Sequence, residues 1–199
     1  MDKGLKSKKL LYFALGFLVL GITVFGILQS KDTESIRENT LLSTAVLNSL
    51  KSDGIIAPSE KQDVELLMHS TKYISNIKIY AIEDILIEKV FDYANNAKPD
   101  IEYSRDKGTQ NSLFIDKHPH GSGNGEWYIV TEQSRFHTLS VICLFLGGLL
   151  YAILFSTWAI KDVSRQQRLN VKWAITFVLF NIVGYLFFLF VDKNRTNFI

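Results

Sequence analysis

The chain has 199 residues, with 22 Lys+Arg against 20 Asp+Glu for a formal net charge of +2, and 47% of its residues are hydrophobic. Those averages suit one soluble domain, but the apolar residues are segregated into three uncharged runs at 10–28, 139–160 and 173–191. Each reaches the ~18 residues expected of a helix that crosses ~30 Å of hydrocarbon, which leaves residues 29–136 as the one soluble stretch of any size and excludes a large catalytic domain. The single cysteine, Cys143, lies inside an apolar run, so neither an internal disulfide nor a multi-thiolate metal site is available.

Lys3, Lys6, Lys8 and Lys9 occupy the segment 1–9, and the positive-inside rule places that end in the cytoplasm. A basic segment before an apolar run is also the pattern of a secretory signal peptide. The run 10–28 is longer than an ordinary signal core, and Gly26-Ile-Leu-Gln-Ser-Lys-Asp32 offers no small-x-small cleavage site, which favours an uncleaved signal anchor. The first transmembrane helix then leads outward into an extracytoplasmic domain, 29–136. Twelve Lys/Arg against seventeen Asp/Glu give this stretch a charge of −5, the wrong sign for a nucleic-acid partner.

Within the domain, Ile36, Leu42, Ala45, Val46 and Leu50 recur at helical steps over 33–50 and predict an amphipathic helix ended by Gly54 and Pro58. Ser59-Glu-Lys-Gln62 has capping-box spacing, and Val64, Leu67, Met68 and Thr71 form the inward stripe of a second helix. Ile77, Ile79 and Ala81 then alternate with Lys78, Tyr80 and Ile82, the rhythm of a half-buried strand. Glu83-Asp84 reads as a turn into a return strand at 85–91, although Leu86, Val90 and Ala94 also suit a helix. Residues 95–111, with Pro99 and Gly108, read as a long loop. Two further strands follow at 112–116 and 126–132, joined by a loop bearing Gly121, Gly123 and Gly125. Two helices followed by about four antiparallel strands predict an α+β domain.

Past this domain, a second span at 137–160 returns to a loop, 161–172, that carries Lys161, Arg165, Arg168 and Lys172 against Asp162 alone. It belongs in the cytoplasm and is suited to anionic headgroups. The third span, 173–191, then carries the tail 192–199 outside, although Lys193 and Arg195 make that tail basic. Trp158 and Trp173 flank the loop at the expected membrane interface. Gly148, Ala152 and Ser156 give the second span a seam of small residues, to which Gly184 of the third is suited. Asn181, in mid-span, requires a hydrogen-bond partner, and helix packing is the preferred reading over a pore.

Two resemblances extend this reading. In element order, and in the strands Ile77-Lys-Ile-Tyr-Ala-Ile82 and Glu126-Trp-Tyr-Ile-Val130, residues 33–136 resemble the Cache or PDC class of bacterial sensor domains. That likeness implies a PAS-like sheet and ligand sensing. Sensors of the class usually continue into a kinase, cyclase or methyl-accepting domain, whereas this chain offers a short loop and one more apolar run. Lys161-Asp162, the basic loop, Lys172-Trp173, Gly184 and Lys193-Asn-Arg195 resemble the N-terminal membrane hairpin found ahead of phospholipase D-type domains such as bacterial cardiolipin synthases. Asn181 stands in the proline slot of that pattern and Phe188 in its tyrosine slot. The HxKxxxxD motif of phospholipase D chemistry, in which a His attacks phosphate and a Lys neutralises it, is missing. Two residues after His69, His118, His120 and His137 stand Thr71, His120, Ser122 and Leu139. A lipid-modifying enzyme is therefore disfavoured.

His118-Pro-His120 is the compact pair of candidate metal ligands, with Asp116 or Glu126 available to complete a set. Its surroundings of Pro and Gly read instead as a polar loop tip, so no metal or other cofactor is expected. Gly121-Ser-Gly-Asn-Gly125 lacks the following helix that phosphate cradling requires. Asp63, Glu65, Glu83, Asp84 and Glu88 read as solvated faces. The expectation is a non-catalytic, three-span protein of the bacterial inner membrane with a sensor-like outer domain. Its partners would be the bilayer, a second copy or an unlike membrane protein, and a small ligand, with signal passing mechanically along the helices. An accessory or assembly subunit of a larger membrane complex is the alternative.

Overall fold

The computed structural model describes residues 3–50, 56–82, 89–105 and 115–196. In chain order these form α1 (Lys3–Ser49), α2 (Pro58–Ser70), β1 (Ile74–Ala81), α3 (Val90–Asn96), β2 (Ile101–Ser104), β3 (Asp116–Gly123), β4 (Trp127–Arg135), α4 (His137–Arg165) and α5 (Val171–Thr196). Three of them, α1, α4 and α5, are long and apolar enough to cross a membrane. The chain divides into one unit of Ile27–Leu139 and another of Met1–Gly26 with Ser140–Ile199.

The Ile27–Leu139 unit is built on a four-stranded sheet of order β2-β1-β4-β3, antiparallel throughout. Side chains alternate across a sheet, so Ile77, Ile79, Trp127 and Ile129 share one face. There they are buried against Leu42, Val46 and Leu50 of α1 and Val64 and Met68 of α2. Each such aliphatic side chain contributes ~1.5–3 kcal/mol relative to leaving it in water. On the opposite face Tyr80 and Ile82 pack with Val90 and Ala94 of α3.

The burial pattern of α1 departs from the apolar stripe read in its sequence. Asp32, Ser35, Asn39 and Ser43 are buried and continue, at helical spacing, into Leu42, Val46 and Leu50, whereas Ile36 is exposed. The inward stripe is therefore polar at one end, and its groups meet the end of β4. Ser35 Oγ donates to the Ser134 carbonyl at 2.7 Å, and Thr131 Oγ1 donates to Asn39 Oδ1. Arg135 donates through Nε and Nη2 to the two Asp32 oxygens at 2.9 and 3.0 Å, and the Phe136 N–H donates to Asp32 Oδ1 at 2.7 Å.

Four local expectations are corrected. Helix α2 starts at Pro58 with Ala57 as its cap, and the Ala57 N–H donates to Glu60 Oε2 at 2.8 Å. Alanine has no side-chain acceptor, so only the returning half of a capping box forms, two residues earlier than Ser59 and Gln62. Val90 and Phe91 open α3 and are not strand, and residues 83–88, with the expected turn and the start of the expected return strand, lie outside the described residues. The loop expected over 95–111 contains β2, whose four residues pair with β1 from Ile79↔Ile101 to Asn76↔Ser104. Its four residues do alternate, with Ile101 and Tyr103 against Glu102 and Ser104, but four is the shortest run in which alternation signals a strand. Arg105, just after it, donates to the Thr71 and Met68 carbonyls and so places a cation at the C-terminus of α2.

The fourth correction concerns the glycine run. The strand expected at 112–116 is β3, at Asp116–Gly123, with 112–114 outside the described residues. His118, Pro119, His120, Gly121 and Gly123 therefore belong to a strand and not to a loop. A Cβ at Gly121 would collide with the Tyr128 ring and one at Gly123 would lie 2.9 Å from the Trp127 carbonyl. Glycine is required for Tyr128 to lie across β3. Pro119 is tolerated because β3 is an edge strand. The turn itself is Asn124-Gly125, where Gly125 has φ +98° and Asn124 Oδ1 accepts the N–H groups of Glu126 and Trp127.

In the other unit α1 and α4 meet backbone to backbone. A Cβ on Gly147 would lie 2.8 Å from Gly21 Cα, the close approach that small residues permit between apolar helices. Helix α5 is two helices joined at Asn181, whose φ of 51° and ψ of −125° break the helical path. Its halves fold back on each other. Trp173 and Phe188 stack edge to face at 5.1 Å and Phe177 and Tyr185 at 5.9 Å, pairs that a straight helix would hold ~22 and ~12 Å apart. Gly184 makes room for this, since a Cβ there would lie 2.7 Å from the Thr176 carbonyl. Asn170 Oδ1 accepts the Trp173 N–H at 2.9 Å and caps the first half.

Candidate functional site

The sheet face opposite α1 and α2 is only partly covered by α3, and beside that helix lies a recess of about 220 Å³. Strand alternation brings Asn76, Lys78 and Tyr80 of β1 to this face. Register sets Asn76 opposite Glu132, Lys78 opposite Val130 and Pro119 opposite Glu132. Ala94 and Asn95 of α3 close one side. The lining is thus an ammonium, a carboxylate, two amides and a phenol over an apolar patch.

The recess carries charges of both signs. Lys78 Nζ lies 3.6 Å from Glu102 Oε1 of β2, with both side chains partly exposed, so the pair is weakly held and screened by water. Burial pushes the Tyr80 phenol above its ordinary value, against the opposing effect of Lys78. Asn76 Oδ1 is buried and has no hydrogen-bond partner among the described residues. An acceptor left so is costly unless a donor from solvent or ligand reaches it.

A second concavity, of about 510 Å³, runs between α1 and α2 and is lined by Glu34, Arg37, Glu38, Leu41, Leu67 and Lys72, among others. Glu38 belongs to the fold there, because its carboxylate accepts the Lys72 and Tyr73 backbone N–H groups. Leu41 at its rim is 60% exposed.

The residues singled out in the sequence fall into three places. His118 and His120 lie in β3, exposed, and among the described residues no group of three His, Cys, Asp or Glu side chains is placed to hold a metal. In α4, Gly148 faces open space while Gly147 makes the contact with α1. Ala152 and Ser156 instead receive Asn181, whose Nδ2 donates to the Ala152 carbonyl at 3.1 Å and to Ser156 Oγ at 3.2 Å. Ser156 Oγ in turn donates to the Phe177 carbonyl at 3.0 Å. Gly184 contacts its own helix across the fold at Asn181. Trp158 and Trp173 join an aromatic cluster, Trp158 against Tyr185 at 4.8 Å. Lys161, Arg165, Arg168 and Lys172 are exposed around the turn between α4 and α5.

The residues of the recess were not selected in the sequence, although the alternation that placed Ile77 and Ile79 inward necessarily placed Lys78 and Tyr80 on the other face. The missing information was the partner strand. Asn76 and Glu132 are 56 positions apart, and only register joins them. Compared with known proteins, the chain matches no family model, no curated protein and no solved structure.

Proposed function

We propose that this is a membrane-anchored binding protein without catalytic activity, whose Ile27–Leu139 unit takes a small polar ligand in the recess beside α3. The observation that carries this is the lining itself. An ammonium at Lys78 and a carboxylate at Glu132 stand on adjacent strands, and the unpartnered Asn76 oxygen is suited to a donor on the ligand. A compact zwitterion of amino-acid size answers all three, with its carboxylate to Lys78 and its ammonium to Glu132 and Asn76. In this reading α1 and α4 cross the inner membrane of a bacterium with the N-terminus in the cytoplasm and the binding unit outside. The resemblance in sequence order of elements to Cache-type domains supports a sensor, and a homo-oligomer is the form in which such a protein would signal. Because α1 carries residues of both units, it is the element through which occupancy would be felt.

Thermal-shift titration of the full chain in mild detergent with a panel of amino acids tests this. A stabilising member should lose its effect in Lys78→Ala and Glu132→Gln, while both variants melt near the parent without ligand. No shift from any member, or a shift that survives both substitutions, rejects the recess as the site. The exposed Leu41 at the α1–α2 groove favours a second reading, docking of an unlike membrane protein as an accessory subunit. Co-purification from detergent that Leu41→Glu abolishes would support it.

A further inference from the structure

We infer that α5 does not cross the membrane but enters one leaflet and returns, as a re-entrant helical hairpin with its tip at Asn181. This rests on the reading above that α4 crosses. The halves, 171–180 and 182–196, are about 15 and 22 Å long at 1.5 Å per residue, and neither reaches across ~30 Å of hydrocarbon.

Contacts along α4 give the depth. Helix α4 runs His137–Arg165, so Ala152 and Ser156, which hold the Asn181 amide, stand near its midpoint. Past the tip, Tyr185 Oη donates to Asp162 Oδ2 at 2.9 Å, close to the basic end of α4. The chain has therefore come back toward the end from which it set out.

The surface of the hairpin fits acyl chains. Val178, Leu179 and Phe180 before the tip and Val183 and Phe187 after it are 59–69% exposed, and no polar side chain other than Asn181 lies between Leu179 and Val183. The Asn181 N–H₂ group, costly if left bare in lipid, is taken up by α4, while Asn181 Oδ1 is buried with no partner among the described residues. At φ 51° and ψ −125° Asn181 has the positive φ of a tight-turn position that Gly, Asn and Asp favour, which suits an amide there.

Charge agrees with the geometry. A third crossing would separate Lys193 and Arg195 from Lys161, Arg165, Arg168 and Lys172. A hairpin gathers all six on one face of the bilayer, with Asp162 and Asp192 the only acids in 161–196. That distribution satisfies the positive-inside rule where a crossing would violate it, and it sets the cluster against anionic headgroups.

The experiment compares single cysteines at Gln167, Thr196 and Asn124 in a Cys143→Ser background of the full chain. Each is labelled with a membrane-impermeant maleimide in sealed right-side-out and inverted vesicles. The hairpin predicts that Thr196→Cys labels together with Gln167→Cys and in the opposite vesicle orientation to Asn124→Cys. Labelling of Thr196→Cys together with Asn124→Cys, while Gln167→Cys remains opposite, overturns the hairpin and leaves the crossing of α4 intact. Labelling of Gln167→Cys and Asn124→Cys from the same side removes the crossing of α4 and the inference with it.

Discussion

Asp32 shows how one residue ties the helix to the sheet. Burial alone raises its carboxyl pKa, but the Arg135 guanidinium and the Phe136 N–H outweigh burial and hold it below the ordinary carboxylate range. The carboxylate therefore contributes stability that is fully present above the unfolded value of ~3.9 and is lost as pH falls through the lower folded value. Asp32→Ala leaves the partly buried Arg135 without its partner and should cost about 3 kcal/mol at neutral pH. Chemical denaturation of parent and Asp32→Asn at pH 7 and pH 3 checks the linkage, and the difference between them should shrink at the lower pH. Gly121 makes the complementary point about space. Gly121→Ala drives a methyl group into the Tyr128 ring and should lower the melting temperature, whereas Gly125→Ala meets open space and should lower it only through the strain of a side chain at φ +98°.

Among the elements, α2, β1 and β4 were legible in the sequence because their burial follows the apolar period: Val64 and Met68 at helical spacing, Ile77 and Ile79 on alternate residues. Replacing Ile79, fully buried, by Asp puts a charge at the centre of the sheet. The several kcal/mol this costs is comparable to the ~5–10 kcal/mol of an ordinary domain, so loss of the near-ultraviolet circular dichroism signal is expected. The inward face of α1 was misread at Ile36 because Asp32, Ser35 and Asn39 are buried for their hydrogen bonds, which periodicity of apolar residues does not report. Strand β3 was misplaced because glycine signals a turn in isolation, and its reason here is a ring from the neighbouring strand. In α4 the four-residue spacing with Ala152 and Ser156 selected Gly148, whereas the adjacent Gly147 makes the contact. Only the position of α1 distinguishes them, and Gly147→Leu should cost about 2 kcal/mol through overpacking where Gly148→Leu costs little. A melting curve in detergent separates the two.

For the whole molecule, the division at Ile27 and Leu139 predicts that residues 27–139 fold when expressed alone as a soluble α+β domain, with dispersed amide resonances. The apolar runs, the α+β class and the strand alternation were all present in the sequence, whereas the recess and the fold at Asn181 depend on residues joined by register or by a single backbone conformation. Hydrogen–deuterium exchange of the full chain in detergent, with and without a saturating amino-acid mixture, reads whether a small ligand occupies the recess. Occupancy should add protection confined to α3 and to the segments 76–80 and 128–132. Protection absent there, or confined to the α1–α2 groove around Leu41 and Lys72, would contradict it.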